Sequence, residues 1–299
     1  MNPNRAMPTT LPENRLATLH LDDWHVESIT AGRFRLDGGV MYGIVPKTVW
    51  QAITPADAHN RIPFAIRFLL ARNGRHCVLI DTGQGDKLAP LDRKAHALEP
   101  GDSFLELLAQ RGVQPGDVDA VVFSHLHWDH AGGATQLDAQ RLLRPTFPNA
   151  TYFVNRDEWE DAVSEAPEFT GTYALQNLRP FEQSGQLVLT EGDEEILPGL
   201  WTRVTGGHTR GHQSILFTSG SAVALFLGDI CPAVTHLRKM WCTAYDLYPA
   251  DTRRCKAQLL GEAADGDWWI LWEHDPSVAL SRLQRHGKQD FVAVDQRGP

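Results

Sequence analysis

A chain of 299 residues that is 42% hydrophobic and 22% charged can bury a sizeable core without staples, which excludes disordered, collagen-like and disulfide-scaffold classes. Its net charge of −9 opposes a grip on a phosphate backbone, so no nucleic-acid partner is expected. The longest clean apolar run, Ala222–Leu227, is far too short to cross a bilayer, and the N-terminus has no apolar core like that of a signal peptide; the expectation is a cytoplasmic protein with no membrane contact.

Residues 1–15 carry three prolines and no periodicity and are expected to form a flexible tail. Residues 16–299 then read as one domain. Strands are predicted at Phe34–Leu36, Val40–Val45, Ile66–Leu70 and Cys77–Ile80, with Gly38–Gly39 as a hairpin turn between the first two. Ser103 and Glu106 have the spacing of a capping box, and Gly112 stops the helix they start. Val118–Phe123 reads as a buried strand ending at Ser124. Asn155 caps a helix to about Val163, with Glu158 at its third position. The second half repeats the theme, with strands at Leu187–Leu189, Trp201–Thr205, Ser214–Phe217 and Ala222–Leu227. Asp251 is a candidate cap for a helix to about Ala264. Asp275 followed by Pro276 predicts a further helix closed by Gly287. Residues 232–250 have little periodicity and read as a long loop or lid. The four cysteines, Cys77, Cys231, Cys242 and Cys255, show no C-x-x-C spacing and are expected to be reduced and mostly buried.

The 13 histidines carry the functional signal. Ser124-His-Leu-His-Trp-Asp-His-Ala-Gly-Gly133 follows a predicted strand. His125 and His127, two apart on extended backbone, point to one side and can share a metal ion. Asp129 and His130 lie where the chain turns and are placed to reach a second ion. Imidazole with carboxylate suits Zn, and also Fe, Mn or Co. More candidate ligands follow: Gly206-Gly-His-Thr-Arg-Gly-His212, Leu225-Phe-Leu-Gly-Asp229 and Leu271-Trp-Glu-His274. Each apolar strand ends in a ligand-type residue, which is how a rigid scaffold builds a site.

This ordered set, with Ile80-Asp-Thr-Gly83, resembles the metallo-β-lactamase-fold hydrolases over about residues 30–285. The resemblance implies an α+β fold, a four-layer αββα sandwich of two similar halves, with two divalent ions on one rim. It implies that His125, His127 and His208 hold one ion, that Asp129, His130 and His274 hold the other, and that Asp229 bridges them. Asp81 would orient a ligand histidine, and His212 would be a buried support. The implied chemistry is attack by a hydroxide between the ions, with no Ser or Cys nucleophile.

Within that family, Leu126 in place of Glu argues against a flavo-diiron reductase. Asp229 stands where class B1 and B2 β-lactamases carry Cys. The short stretch after Asp229 leaves little room for the C-terminal domain of glyoxalase II. The motifs are most similar to the acyl-homoserine-lactone lactonases and their methyl parathion hydrolase-like neighbours. The expected substrate is therefore a small hydrophobic lactone or related ester. Phosphotriesterase or arylesterase activity and a non-catalytic metal-binding protein are the alternatives, and a homodimer is left open. Small lactonases have a Tyr three residues after the bridging Asp, and here that position is Pro232; Tyr245 is the candidate replacement, giving Asp129, Asp229 and Tyr245 as the catalytic set. Met41, Tyr42, Trp50, Trp128 and Trp241 are expected to wall an apolar pocket.

Overall fold

The computed structural model describes residues 16–169 and 171–299; the tail expected at 1–15 lies outside them. The first half builds one seven-stranded sheet from β1 (Leu16–His20), β2 (His25–Asp37), β3 (Arg61–Arg72), β4 (Cys77–Ile80) and β5 (Ala120–Val122). A small ribbon of β6 (Thr135–Leu137) and β7 (Leu143–Pro145) interrupts it, and β8 (Thr151–Asn155) and β9 (Leu187–Thr190) complete it. The second half builds another seven-stranded sheet in strict chain order: β10 (Glu194–Leu197), β11 (Leu200–Val204), β12 (Gln213–Ser219), β13 (Ala222–Phe226), β14 (Trp269–Leu271), β15 (Leu280–His286) and β16 (Asp290–Arg297).

Alternation along the strands decides the layering. Leu69, Ala71, Val78, Ile80, Ala120 and Val122 face Ile215, Phe217, Ala224, Phe226 and Leu271 across the space between the sheets. The intervening residues point outward under helices. Phe68, Leu70, Leu79 and Val121 pack with Leu107, Leu108, Trp159 and Phe181, and Leu225 and Ile270 pack with Leu259, Leu260 and Ala263 of the helix Pro249–Asp265. Both faces of each central strand are therefore buried, which is why these segments are continuous apolar runs. Each fully buried Val, Leu, Ile or Phe contributes about 1.5–3 kcal/mol. The result is the αββα sandwich of two similar halves. Among the described residues no helix is long and apolar enough to cross a membrane.

Four local expectations are corrected. Gly38–Gly39 is not a hairpin turn and Val40–Val45 is not a strand; Gly38–Tyr42 is a short helix whose start is capped by Asp37, its Oδ1 accepting from Gly39 N (2.7 Å) and Val40 N (3.2 Å). The helix Pro249–Asp265 has Tyr248 rather than Asp251 at its N-cap, with Pro249 in the first turn. No helix follows Asp275. Its carboxylate accepts from the amides of Ser277, Val278 and Val234, closing a turn into β15. Finally, Tyr42 and Trp50 are not pocket walls. They are 0% and 1% exposed and stack at 5.5 Å, with Met41 and Trp241 buried around them. Cys231 and Cys242 are buried, Cys77 and Cys255 half-buried, and all four are free thiols.

Candidate metal centre

Strands from both sheets end at one rim, and their connecting loops carry the polar residues. β5 runs into Ser124 and His125. The short helix Trp128–Ala131 places Asp129 and His130, with His127 at its N-cap. The turn after β11 carries His208 and His212, the turn after β13 carries Asp229, and the segment after β14 carries His274. Cross-sheet bonds hold these loops together. Gln213 donates from its amide to Ser124 O and from its side chain to Phe123 O. Arg67, on β3 and fully buried, donates to the carbonyls of Trp272 and Glu273. Within the first sheet, Thr82 donates to the His130 carbonyl from both its amide and its hydroxyl.

All seven candidate ligands meet there. His125, His127, His208 and Asp229 present one ligand atom each within 4.8 Å of one another, and Asp129, His130 and His274 do the same. Asp229 lies between the groups. Its Oδ2 is 3.3 Å from His208 Nε2 and 4.0 Å from His125 Nε2, whereas Oδ1 is 3.1 Å from His274 Nε2 and 3.6 Å from His130 Nε2. Asp129 faces the second group, 3.7 Å from His274 Nε2 and 3.8 Å from His130 Nε2. Tyr245 is not among them and is 48% exposed. Trp128 is half-buried, its ring against His96 and Phe34.

The outer hydrogen bonds decide which face of each imidazole is bare. His130 Nδ1 lies 2.9 Å from Asp81 Oδ2, His208 Nδ1 2.8 Å from Asp246 Oδ1, and His274 Nδ1 2.7 Å from the Ala65 carbonyl. Each partner only accepts, so each Nδ1 carries the hydrogen. The Ser124 hydroxyl donates to Asp81 (2.6 Å), leaving its oxygen to accept from His125 Nδ1 (3.1 Å). Four imidazoles therefore point Nε2 inward, the nitrogen whose lone pair a metal ion would take. His127 offers Nδ1 instead, 2.9 Å from His125 Nε2 and 3.1 Å from His208 Nε2. Converging ring nitrogens and carboxylates suit cations, and Asp229 Oδ1 is buried with no hydrogen-bond donor. The donor set, five imidazoles and two carboxylates, fits borderline divalent ions such as zinc.

The carboxylates draw positive charge to this centre. Burial pulls His274 down, but the Asp229 carboxylate outweighs it and lifts the ring to about 9. Burial also opposes protonation of His130 and His208, yet neighbouring carboxylates, Asp129 and Asp229 for His130 and Asp229 for His208, hold both above the ordinary histidine value. His125 falls well below it through burial and the imidazoles of His130 and His127. Asp229 stays well below the carboxylate range against its burial, because His274, His130 and His208 surround it.

Two supports expected from the sequence lie where their roles require. Asp81 sits at φ 55°, a left-handed turn that aspartate tolerates, and its carboxylate meets His130, Ser124 Oγ and Ser124 N. His212 is fully buried; its Nδ1 lies 2.6 Å from Thr205 Oγ1, and its Nε2 accepts from the Asp229 amide at 3.0 Å. Gly228 makes this possible. Its φ is 57°, and a Cβ there would lie 2.6 Å from His212 Nε2. Sequence reasoning missed the bonds from Ser124 and Ala65 and the role of Asp246. Asp246 lies in an aperiodic loop far along the chain from His208, and only the fold joins them.

Residues 63–274 match the Metallo-beta-lactamase superfamily. The chain belongs to that superfamily. An N-acyl homoserine lactonase of Bacillus cereus is 33% identical over 212 residues, 67% of this chain and 73% of the relative, which places the chain in the lactonase branch. A probable metal-dependent hydrolase from Staphylococcus aureus superposes with a TM-score of 0.85 and 28% identity, covering 93% of this chain and 99% of that one. AidC, a dizinc quorum-quenching lactonase solved with a product, superposes with a TM-score of 0.75 over 95% of this chain and 98% of its own, at 18% identity; this last likeness is one of fold. This superfamily member is thus a lactonase-like, metal-dependent hydrolase acting on ester bonds, and it binds divalent metal.

Proposed function

We propose that the enzyme opens N-acyl homoserine lactones or closely related small lactones with a pair of zinc ions. His125, His127 and His208 would hold one ion, Asp129, His130 and His274 the other, and Asp229 would join them. The observation that carries this reading is the split of Asp229, whose two oxygens face separate groups of imidazoles. When bound, such ions polarise a carbonyl oxygen and make water a nucleophile at neutral pH.

The chain's own residues supply the rest. Asp81, Ser124, Asp246 and the Ala65 carbonyl fix the four imidazoles before substrate arrives, so no reorientation is needed during reaction. Asp129 and Asp229 keep 12% and 14% side-chain exposure, while the histidines His125, His130, His208 and His274 are at 3% or less. With the half-buried His127, the carboxylates mark the open side. Asp129 would there take a proton from the attacking water and return it to the leaving alcohol. Tyr245 is held above the usual phenol value by partial burial and by the Asp129 and Asp37 carboxylates. It therefore keeps its hydrogen and can donate to the substrate carbonyl. The 232–250 segment acts as the lid over the apolar part of the substrate. Its course is set by Lys256, a buried ammonium that donates to the carbonyls of His236, Arg238 and Trp241.

The test is a panel of N-acyl homoserine lactones, simple lactones, aryl esters and phosphotriesters, run on zinc-loaded wild-type and Tyr245→Phe enzyme. The acyl lactones should give the highest kcat/KM. Tyr245→Phe should lower kcat on them about tenfold, about 1.4 kcal/mol, because one of several groups on the oxyanion is lost. Metal content should not change. A panel led by phosphotriesters would overturn the substrate class, and unaltered Tyr245→Phe kinetics would remove that residue from the site.

A further inference from the structure

Glu158 stands at the third position of its helix, where a capping box would turn it back to Asn155, but it does not turn back. Asn155 alone caps the helix Arg156–Val163, accepting from Asp157 N. The Glu158 side chain turns into the protein and is 1% exposed. Its Oε1 accepts from the amide of Leu126 at 2.9 Å, the residue between His125 and His127. Its Oε2 accepts from the hydroxyl of Thr209 at 2.5 Å, the residue after His208. One carboxylate thus joins the loop of the first sheet to the loop of the second, at the residues adjoining three candidate ligands.

The surroundings keep this helix end seated on the second loop. Gly211 packs so closely that a Cβ would lie 2.1 Å from Glu158 N. Next to it, Arg210 reaches over the outside of the helix, pairing with Asp161 at 2.7 Å and Asp157 at 2.9 Å. Burying a carboxylate is costly unless every oxygen is used, and here both oxygens are used on ligand loops rather than on the helix itself.

We propose that Glu158 is a positioning residue that sets the spacing between the His125–His127 pair and His208, and so the affinity of the ion they hold. The inference rests on the reading that these three histidines share one ion. A lesion at a residue that orients ligands without touching metal typically weakens binding by about 10–100-fold.

The experiment is chelator competition for zinc on the full-length protein, with kcat and KM measured in parallel. Glu158→Ala should loosen one of two zinc ions by about 10–100-fold and leave the other tight. Its kcat should fall more than its KM rises. Glu158→Gln should restore part of the affinity, because its amide oxygen can still accept from Leu126. Thr209→Val, which removes only the hydroxyl half of the bridge, should fall between. Trp159→Phe, on the same helix but packed into the outer core, should lower stability and leave zinc affinity unchanged. A folded Glu158→Ala protein that holds both ions with wild-type affinity overturns the proposal. If that variant does not fold, unshifted affinity in Thr209→Val overturns it instead. Wild-type protein that takes up no zinc overturns the metal reading, and this inference with it.

Discussion

Replacing Asp229 with alanine should lower turnover by roughly 10³-fold while the fold survives. Its side chain meets only imidazoles: Oδ1 lies 3.1 Å from His274 and 3.6 Å from His130, and Oδ2 lies 3.3 Å from His208. None of these contacts ties one strand to another. The backbone bond from Asp229 N to His212 needs no carboxylate and should persist. Without the carboxylate, seven candidate ligands become two separate sets of three, and nothing fixes the distance between them. Metal should be retained more weakly than in any variant altered outside the ligand set. Circular dichroism and chemical denaturation check the fold, and elemental analysis with kcat/KM on an acyl lactone checks the rest. Near-native turnover in a fully metallated variant would show that another residue joins the two groups.

Gly228→Ala should be almost as damaging although it changes no polar atom. At φ 57° an L-residue pays about 1–2 kcal/mol. The new Cβ also meets His212 Nε2 at 2.6 Å and Ser124 Cβ at 3.3 Å, where the packing has no room. Together the expected loss of stability is about 2–5 kcal/mol. The shift falls on the residue before Asp229 and on the imidazole that fixes its amide, and a displacement near 1 Å at a reacting centre costs about 10²-fold. A Gly228→Ala enzyme with wild-type denaturation midpoint and turnover would mean that this turn is loose and that His212 does not position Asp229.

The candidate site was legible because its residues are local to strand ends. His125, His127, Asp129 and His130 fall within one short motif, and Asp229 and His274 each follow a buried apolar run. Strands buried on both faces left unmistakable runs such as Cys77–Ile80 and Ala222–Phe226. The caps at Ser103 and Asn155 form as expected; capping fails at the aspartates, because a carboxylate beside free amides does not say which structure follows. Asp37, in a segment whose sequence predicts a strand, starts a helix; Asp275, whose sequence predicts a helix start, closes a turn into a strand. The aromatics failed for a different reason. Tyr42 and Trp50 are near the motifs in the fold, but composition cannot tell a pocket wall from the core behind it. Long-range supports such as Asp246 to His208 and Glu158 to Leu126 and Thr209 are created by the packing of the two sheets, and no spacing in the sequence records them.

The most direct test is a zinc titration of protein stripped by chelator, following opening of an N-acyl homoserine lactone as each increment is added. Two imidazole groups on either side of one carboxylate predict that lactone opening is absent without metal and reaches its plateau at two zinc ions per chain. Full activity at one ion per chain, or lactone opening that survives complete removal of metal, would contradict the account.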